Sequence, residues 1–182
     1  MQIFYLPFFS DSQKELEGVM TRPDYPITQA IRMLREKKIA FTPHLYPFEE
    51  HGGTRHVSEY FLIPEHQVIK TLIMEPDDKK PLIVLMHGDC EVSVKQLARE
   101  LGVKRVSPCE ENDAQRFTGY LVGGISPFGT RAGLPVYAQS TIFELDRIFI
   151  NGGKRGFMVE MRPADLEKAF IVTKINAAVK EP

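Results

Sequence analysis

Lys70 stands inside Val68-Ile69-Lys70-Thr71-Leu72-Ile73-Met74, an apolar run of strand length. Side chains alternate between the two faces of a strand, so Lys70 shares its face with Val68, Leu72 and Met74. An ammonium on an apolar face costs free energy unless it meets an anion, a carbonyl or a water-filled cavity. Two readings fit: a pocket lysine that binds or polarises a substrate, or an edge-strand lysine whose head reaches water. A second candidate is Gly123-Gly124-Ile125-Ser126-Pro127-Phe128-Gly129. Such a loop lets a ligand approach the backbone closely, and its N–H groups can hold a carbonyl or an oxyanion. It lacks the Gly-Lys-Ser/Thr ending of a phosphate-binding loop and the spacing of a serine nucleophile elbow. A structural turn is the alternative. The third candidate, Asn151-Gly152-Gly153-Lys154-Arg155-Gly156, is either a solvated hairpin tip or a second glycine wall with two cations beside it.

The other reactive side chains form weaker patterns. His44, His51, His56, His66 and His87 show no metal-ligand spacing, so no metal and no cofactor is expected. Cys90 follows His87 by three residues, but a cysteine nucleophile needs a spatial partner that spacing alone does not supply. Cys90 and Cys109 are the only cysteines and form no CxxC, which argues against a disulfide framework and for a reducing compartment. Lys95, Arg99, Lys104 and Arg105 make a basic patch that either touches RNA or is a solvated helix face. Across 182 residues, 23 Lys plus Arg against 24 Asp plus Glu leave a formal charge of −1. This argues against a general coat for DNA or RNA, though not against a short contact with a nucleic acid end. No apolar stretch approaches a membrane span.

These residues need elements to position them. Ala30, Ile31, Met33 and Leu34 fall on one helical face within 27–40, with Thr28 as a cap. Residues 41–48, with two prolines, read as an edge strand, and 54–62 as a helix. The runs 68–74 and 81–87 make a hairpin or neighbouring strands. Ser93 caps a helix over 93–101, with Val94, Leu97, Ala98 and Leu101 inward and Gly102 as the stop. A short strand over 104–107 and a helix over 110–117 follow. Beyond the glycine loop come strands at 136–137, 148–151 and 157–161, with Gly152–Gly153 as the turn of the last pair, and a helix over 163–170. Helices and strands intermix without strict alternation, which favours an α+β domain with a mixed, mostly antiparallel sheet and helices outside. Residues 1–19 read either as a translated leader before Met20 or as a short extra helix; a secretory signal is not expected.

Taken in order, Thr28–Leu34, Ile69–Leu72, Thr118–Gly129, Leu134–Tyr137 and Asn151–Gly156 resemble the YbaK family. These are free-standing aminoacyl-tRNA deacylases related to the editing domain inserted in bacterial prolyl-tRNA synthetase. The resemblance runs from about Tyr25 to Phe170. It implies a barrel-like editing-domain fold over 25–175, with 1–24 as an N-terminal extension and 176–182 as a tail. The family's essential lysine falls on Lys70, where it is expected to hold the substrate or the acceptor-end backbone rather than form a Schiff base. The glycine wall falls on Gly123 and Gly124, with Ile125, Ser126 and Pro127 beside it. Pocket positions fall on Tyr46, Thr71, Asn151, Gly152, Gly153 and Met158. Three features depart from close relatives: Asn151 replaces a serine, Met158 replaces an acidic residue, and the short loop Glu49–Gly53 lacks the family's aromatic.

The branch with the closest pattern removes cysteine mistakenly attached to tRNA(Pro). An aminoacyl ester is already activated, so the site needs orientation and oxyanion stabilisation more than acid–base machinery. In the cysteine case the family mechanism has the substrate thiol attack its own carbonyl, which accounts for the lack of a triad. The resemblance thus implies a cytoplasmic trans-editing enzyme that meets the tRNA acceptor end. Its implied partner is prolyl-tRNA synthetase, and it has no membrane or DNA role. Two alternatives stand beside it: a deacylase for another small amino acid such as alanine, and a non-catalytic module that binds aminoacyl-tRNA.

Overall fold

The computed structural model describes residues 24–180. The expected extension, 1–24, therefore lies almost wholly outside the described residues. Ten strands and five α-helices follow in the order α1 (Gln29–Glu36), β1 (Thr42–Leu45), α2 (Gly53–Phe61), β2 (Val68–Pro76), β3 (Leu82–His87), β4 (Cys90–Val92), α3 (Val94–Leu101), β5 (Val106–Pro108), α4 (Glu111–Thr118), β6 (Val136–Gln139), β7 (Ile148–Lys154), β8 (Phe157–Met161), α5 (Leu166–Ala169), β9 (Val172–Ile175) and β10 (Ala178–Lys180). The main sheet has the path β1-β8-β7-β2-β3-β6-β9, with β5 attached to β2; β4 and β10 form a separate pair. Five of the pairings are antiparallel, while β2·β7, β3·β6 and β6·β9 are parallel. The expected mixed, mostly antiparallel sheet with outer helices is what forms.

Period-two burial sets which face each side chain serves. In β3 every residue is buried, with Ile83 and Leu85 in one apolar cluster and Leu82, Val84 and Met86 in another. This strand is covered on both sides. The first cluster lies against α1, whose Ala30, Ile31 and Leu34 are fully buried, and takes in Tyr120 and Phe128 at the two ends of the glycine loop. The second lies against α3 through Leu97 and Ala98. A third, smaller cluster joins Val57 of α2 to Val68, Phe149 and Met158.

The local signals act as chemistry requires. The Thr28 hydroxyl caps α1 by accepting from Ile31 N at 3.2 Å, and Ser93 caps α3 by accepting from Gln96 N at 3.3 Å. Pro43 is tolerated in β1 because that strand pairs with β8 alone.

Four expectations need correction. Val94 is not inward but 43% exposed, because the first turn of α3 lies over a surface cleft with Val103 and Val106 rather than over the sheet. Gly152 and Gly153 are not the hairpin turn: they form a bulge inside β7, and the chain reverses at Arg155–Gly156. The helix expected over 163–170 is a 3-10 turn at Pro163–Asp165 followed by the four-residue α5. Residues 176–180 are not a loose tail. Ala177 is buried, and β10 pairs with β4 in the register Val179↔Glu91.

Candidate functional site

Lys70 lies on the same face of β2 as Val68, Leu72 and Met74, at the seam between the second and third apolar clusters. Its ammonium is half-buried and donates to the Cys90 carbonyl at 3.0 Å. A buried main-chain carbonyl is one of the partners that make an ammonium tolerable on an apolar face.

The ladder around Lys70 is interrupted. On the edge of β2 away from β3, pairing with β7 stops at Ile69↔Ile150. Pairing with β5 starts only where Cys109 N donates to the Ile73 carbonyl at 2.9 Å, with Met74↔Pro108 next. Among the described residues, neither β7 nor β5 pairs with Thr71 on that edge. Because Ile73 turns its carbonyl to this edge, the two-residue repeat turns the N–H and C=O of Thr71 the same way. The Thr71 hydroxyl oxygen is itself buried without a hydrogen-bond partner. A buried polar group left unpaired in this way carries a free-energy cost and marks a position where a ligand group can complete the bonding.

Asn151 flanks the same gap. The register Val68↔Phe149, Ile69↔Ile150 brings it level with Lys70 at the next step. Its amide nitrogen donates to the Gly123 carbonyl at 3.2 Å, and its amide oxygen accepts from Gly153 N at 2.8 Å. One side chain thus ties the glycine wall to the β7 bulge. Arg155 adds a second tie, donating from Nε to the Val122 carbonyl at 2.8 Å. The approach is close enough that a Cβ built on Gly124 would lie 2.8 Å from Arg155 N and 3.0 Å from Lys154 C. Thr28 holds the bulge from behind by donating to the Gly152 carbonyl at 2.5 Å. The far end of the loop hangs on Tyr120, whose hydroxyl donates to the Phe128 carbonyl at 2.6 Å. Burial pushes that phenol up to about 12, so it stays a donor at any physiological pH.

The expected site residues divide into three groups. Asn151 links Gly123 to the bulge at Gly152–Gly153, and Gly124 packs on Arg155; Lys70 and Thr71 lie on β2 next to where its pairing with β7 ends, their side chains on opposite faces. Tyr46 stands on the opposite side of the β7–β8 tip, its N–H on the Gly156 carbonyl and its ring 5.9 Å from that of Phe61. Burial raises its phenol pKa, with the Gly156 contact pulling the other way. Ser126, Pro127 and Met158 face inward. The Ser126 hydroxyl is fully buried and accepts from Phe128 N at 3.4 Å, shaping the loop. Met158 is packed with Val68 and Phe149. Ile125 packs against the first cluster. Among the described residues, the N–H groups of Gly123, Ile125 and Ser126 have no acceptor within the protein, whereas that of Gly124 is taken by the Leu121 carbonyl.

Two neighbours escaped sequence reasoning. The Phe48 ring covers Gly123, 3.2 Å from where a Cβ would stand, and lies under the Arg155 guanidinium at 5.1 Å. It precedes the loop that seemed to lack an aromatic, so its place in the chain hid its role. A cleft of about 360 Å³ walled by Tyr46, Phe48, Tyr60 and Arg155 opens on its other side; Lys70 and Gly124 do not line it. The second neighbour is His66 with Asp89 and Cys90, gathered beside Lys70. His87, the histidine near Cys90 in sequence, is tied elsewhere: Nδ1 to the His66 carbonyl and Nε2 to the Thr141 hydroxyl, each at 2.7 Å.

The family model of the aminoacyl-tRNA editing domain matches residues 51–169. The chain belongs to the aminoacyl-tRNA editing domain family. The match takes in Lys70, both glycine motifs and Asn151. Among curated relatives, a protein of Enterococcus faecalis (strain ATCC 700802 / V583) is 29% identical over 75% of this chain and 84% of its own. It is described, provisionally, as the Cys-tRNA(Pro)/Cys-tRNA(Cys) deacylase EbsC. The proline--tRNA ligase of Streptococcus equi subsp. zooepidemicus (strain H70) is 24% identical over 84% of this chain, which spans about a quarter of that enzyme (24%). A crystal structure described provisionally as a trans-editing enzyme for prolyl tRNA synthetase superposes with a TM-score of 0.69 at 15% identity, covering 86% of this chain and all of that one. Another, of the hypothetical protein APE2540, reaches 0.75 at 16% identity, covering 84% of this chain and 100% of its own. At those identities the superpositions establish the fold. No described helix of this editing domain is long and apolar enough to cross a membrane.

Proposed function

We propose that the chain is a free-standing deacylase that removes cysteine from mischarged tRNA(Pro). The observation that carries this reading is the interrupted ladder of β2. Thr71, with its unpartnered hydroxyl, lies where β2 has lost its neighbour, Asn151 of the adjoining strand tethers the glycine wall, and Lys70 stands at the next position on the other face of β2. Two chain ends of different charge have to fit there: a ribose–phosphate end and a small amino acid. Lys70 is suited to the anionic end, and the N–H groups of Gly123, Ile125 and Ser126 to the developing oxyanion. In the substrate-assisted step the cysteine thiol gives up its proton and its sulfur bonds to the ester carbonyl carbon. The bond from that carbon to the ribose oxygen then breaks, and the ribose oxygen takes up a proton. No protein base is needed beyond the positioning groups. The near-zero net charge suits contact with the acceptor end alone, so in this reading selection of tRNA(Pro) falls to a partner, and the likeness to the editing domain of proline--tRNA ligases supports prolyl-tRNA synthetase in that role. The setting would be the cytoplasm, where charged tRNA is made and used.

Asn151 favours a second reading at the same site, in which a water oxygen bonds to the ester carbonyl carbon, the bond to the ribose oxygen breaks, and a proton from the water passes to that oxygen. Asn151 occupies the gap where relatives carry a smaller serine, which narrows the space for the amino acid and suits alanine. Deacylation of Cys-tRNA(Pro) and Ala-tRNA(Pro) separates the two readings. Lys70→Ala is expected to lower the rate on the preferred substrate on the order of 10²-fold. Lys70→Arg is expected to recover it only partly, since a planar fork does not replace a point charge. Full activity in a normally folded Lys70→Ala protein would overturn the assignment of this gap. Tight binding of charged tRNA without turnover would instead point to a binding module.

A further inference from the structure

We propose that His66, Asp89 and Cys90 form a binding site for one divalent cation of the zinc class, next to Lys70. The inference stands apart from the editing reading, because it rests on a different set of side chains. An imidazole nitrogen, a carboxylate oxygen and a thiol sulfur lie within 4.8 Å of one another. His66 Nδ1 is 2.8 Å from Asp89 Oδ1, and Cys90 Sγ is 3.5 Å from the same oxygen. Zinc bonds of about 2.0–2.3 Å in tetrahedral geometry hold ligand atoms about 3.2–3.8 Å apart. The sulfur–oxygen edge already has that length. The nitrogen–oxygen edge has to open by about half an ångström as the cation replaces the proton between the two groups.

The chain separates His66 from the adjacent Asp89 and Cys90 by more than twenty positions, so their meeting is a product of packing. His66 sits on the 3-10 turn Glu65–Gln67, while Asp89 ends the tight connection after β3 and Cys90 begins β4. Thr54 clamps the two together, its hydroxyl within 2.8 Å of Glu65 Oε1 and 3.1 Å of the Gly88 carbonyl. A Cβ on Gly88 would fall 2.5 Å from the Glu65 carbonyl oxygen, so glycine is what lets the turn approach. Behind the ligands the His87 ring stacks on His66 at 3.6 Å and binds its carbonyl, which limits how far the ligand ring can turn. Outer contacts of this kind preorganise metal ligands.

The donor set itself selects the cation. One thiolate and one carboxylate neutralise a dication, and mixed sulfur and imidazole donors favour zinc over magnesium or calcium. Three protein ligands leave a fourth position, and His66 and Asp89 are 41% and 40% exposed, so that position opens to solvent. Cys90 gives its proton to solvent on binding. Its carbonyl meanwhile accepts from the Lys70 ammonium, which places the cluster next to that lysine.

The test is titration of the metal-stripped full chain with Co²⁺, followed by displacement with Zn²⁺. One equivalent of Co²⁺ should give a near-ultraviolet sulfur-to-cobalt charge-transfer band, bleached by one equivalent of Zn²⁺. Cys90→Ser should abolish the band, and His66→Gln should weaken binding at least tenfold by analogy with the loss of single metal contacts. Cys109→Ser should leave it unchanged, since that thiol lies outside the cluster. Thermal unfolding confirms that each variant is folded, and the half-exposed His66 gives a variant that does not disturb the core. Absence of the band in the folded wild type would overturn the proposal. So would a band that survives Cys90→Ser or disappears with Cys109→Ser.

Discussion

Replacing Gly124 by alanine tests the idea that the editing gap depends on the contact between its two glycine motifs. Gly124 has no positive φ, so the methyl group introduces no backbone strain of its own. The effect is steric. The new Cβ would lie 2.8 Å from Arg155 N, 3.0 Å from Lys154 C and 3.2 Å from Lys154 Cα, all main-chain atoms that cannot rotate aside. The loop and the β7–β8 tip have to part by about half an ångström or more to restore ordinary contact. Overpacking of this kind costs about 1–3 kcal/mol. Each kcal/mol lowers the midpoint of a domain this size by about 2–4 °C. The rate should suffer more than the stability, because displacement of positioning groups approaching 1 Å can cost about 10²-fold. Single-turnover deacylation alongside thermal unfolding measures both. Gly123→Ala is the contrast: φ is +84°, and the Cβ would meet Phe48 ring atoms at 3.2–3.3 Å, which can swing away. Its penalty is therefore conformational, and it leaves the loop–hairpin contact in place. A Gly124→Ala protein with unchanged rate and midpoint would refute the reasoning.

Thr28→Ala removes both the α1 cap and the bond to the Gly152 carbonyl, and should cost about 1–2 kcal/mol in denaturant unfolding. Asn151→Ala releases Gly123 and Gly153 together; deacylation should fall roughly tenfold while stability changes by about 1 kcal/mol or less, measured by kcat against unfolding midpoint. His87 is kept neutral by burial, which lowers its pKa below 6.5 against the pull of the His66 carbonyl. The unfolded chain takes a proton that the folded chain refuses, so stability is full above pH 6.5 and falls as pH drops below it. Denaturant midpoints measured across about pH 5 to 8 should show this fall, and a flat profile would count against it. Asp165 behaves similarly at lower pH: burial pushes its carboxyl up, but Lys168 and Arg162 hold it below 3.8, so its contribution is lost only as pH falls through that range.

Capping and strand-pairing signals were legible in the chain. Thr28 and Ser93 act as caps because a hydroxyl satisfies an orphan N–H whatever the surroundings, and Gly102 ends α3 in the left-handed region. The runs 68–74 and 81–87 pair as a hairpin because their apolar alternation and charged turn leave few other partners. Lys70 stood out for the same reason: a charge in an apolar strand requires an explanation that its immediate neighbours do not contain.

Tertiary structure decided what answers that charge. The interrupted ladder beside Thr71 exists because β7 bulges away at Gly152–Gly153 before β5 arrives, a matter of three strands distant in sequence. The segments at 90–92, 172–175 and 178–180 are too short to show periodicity, and they become strands only through their pairing. Ser126 and Met158 are turned into the core by the packing around them, and no spacing rule distinguishes an inward position from one facing a cleft. His66 meets Asp89 and Cys90 only when Thr54 and Gly88 bring two turns into contact. Sequence determines short-range hydrogen bonding and the period of burial, because both act within a few residues. The gap, the wall and the metal-ligand cluster depend on contacts between distant segments, whose relative positions are fixed only once the whole core has packed.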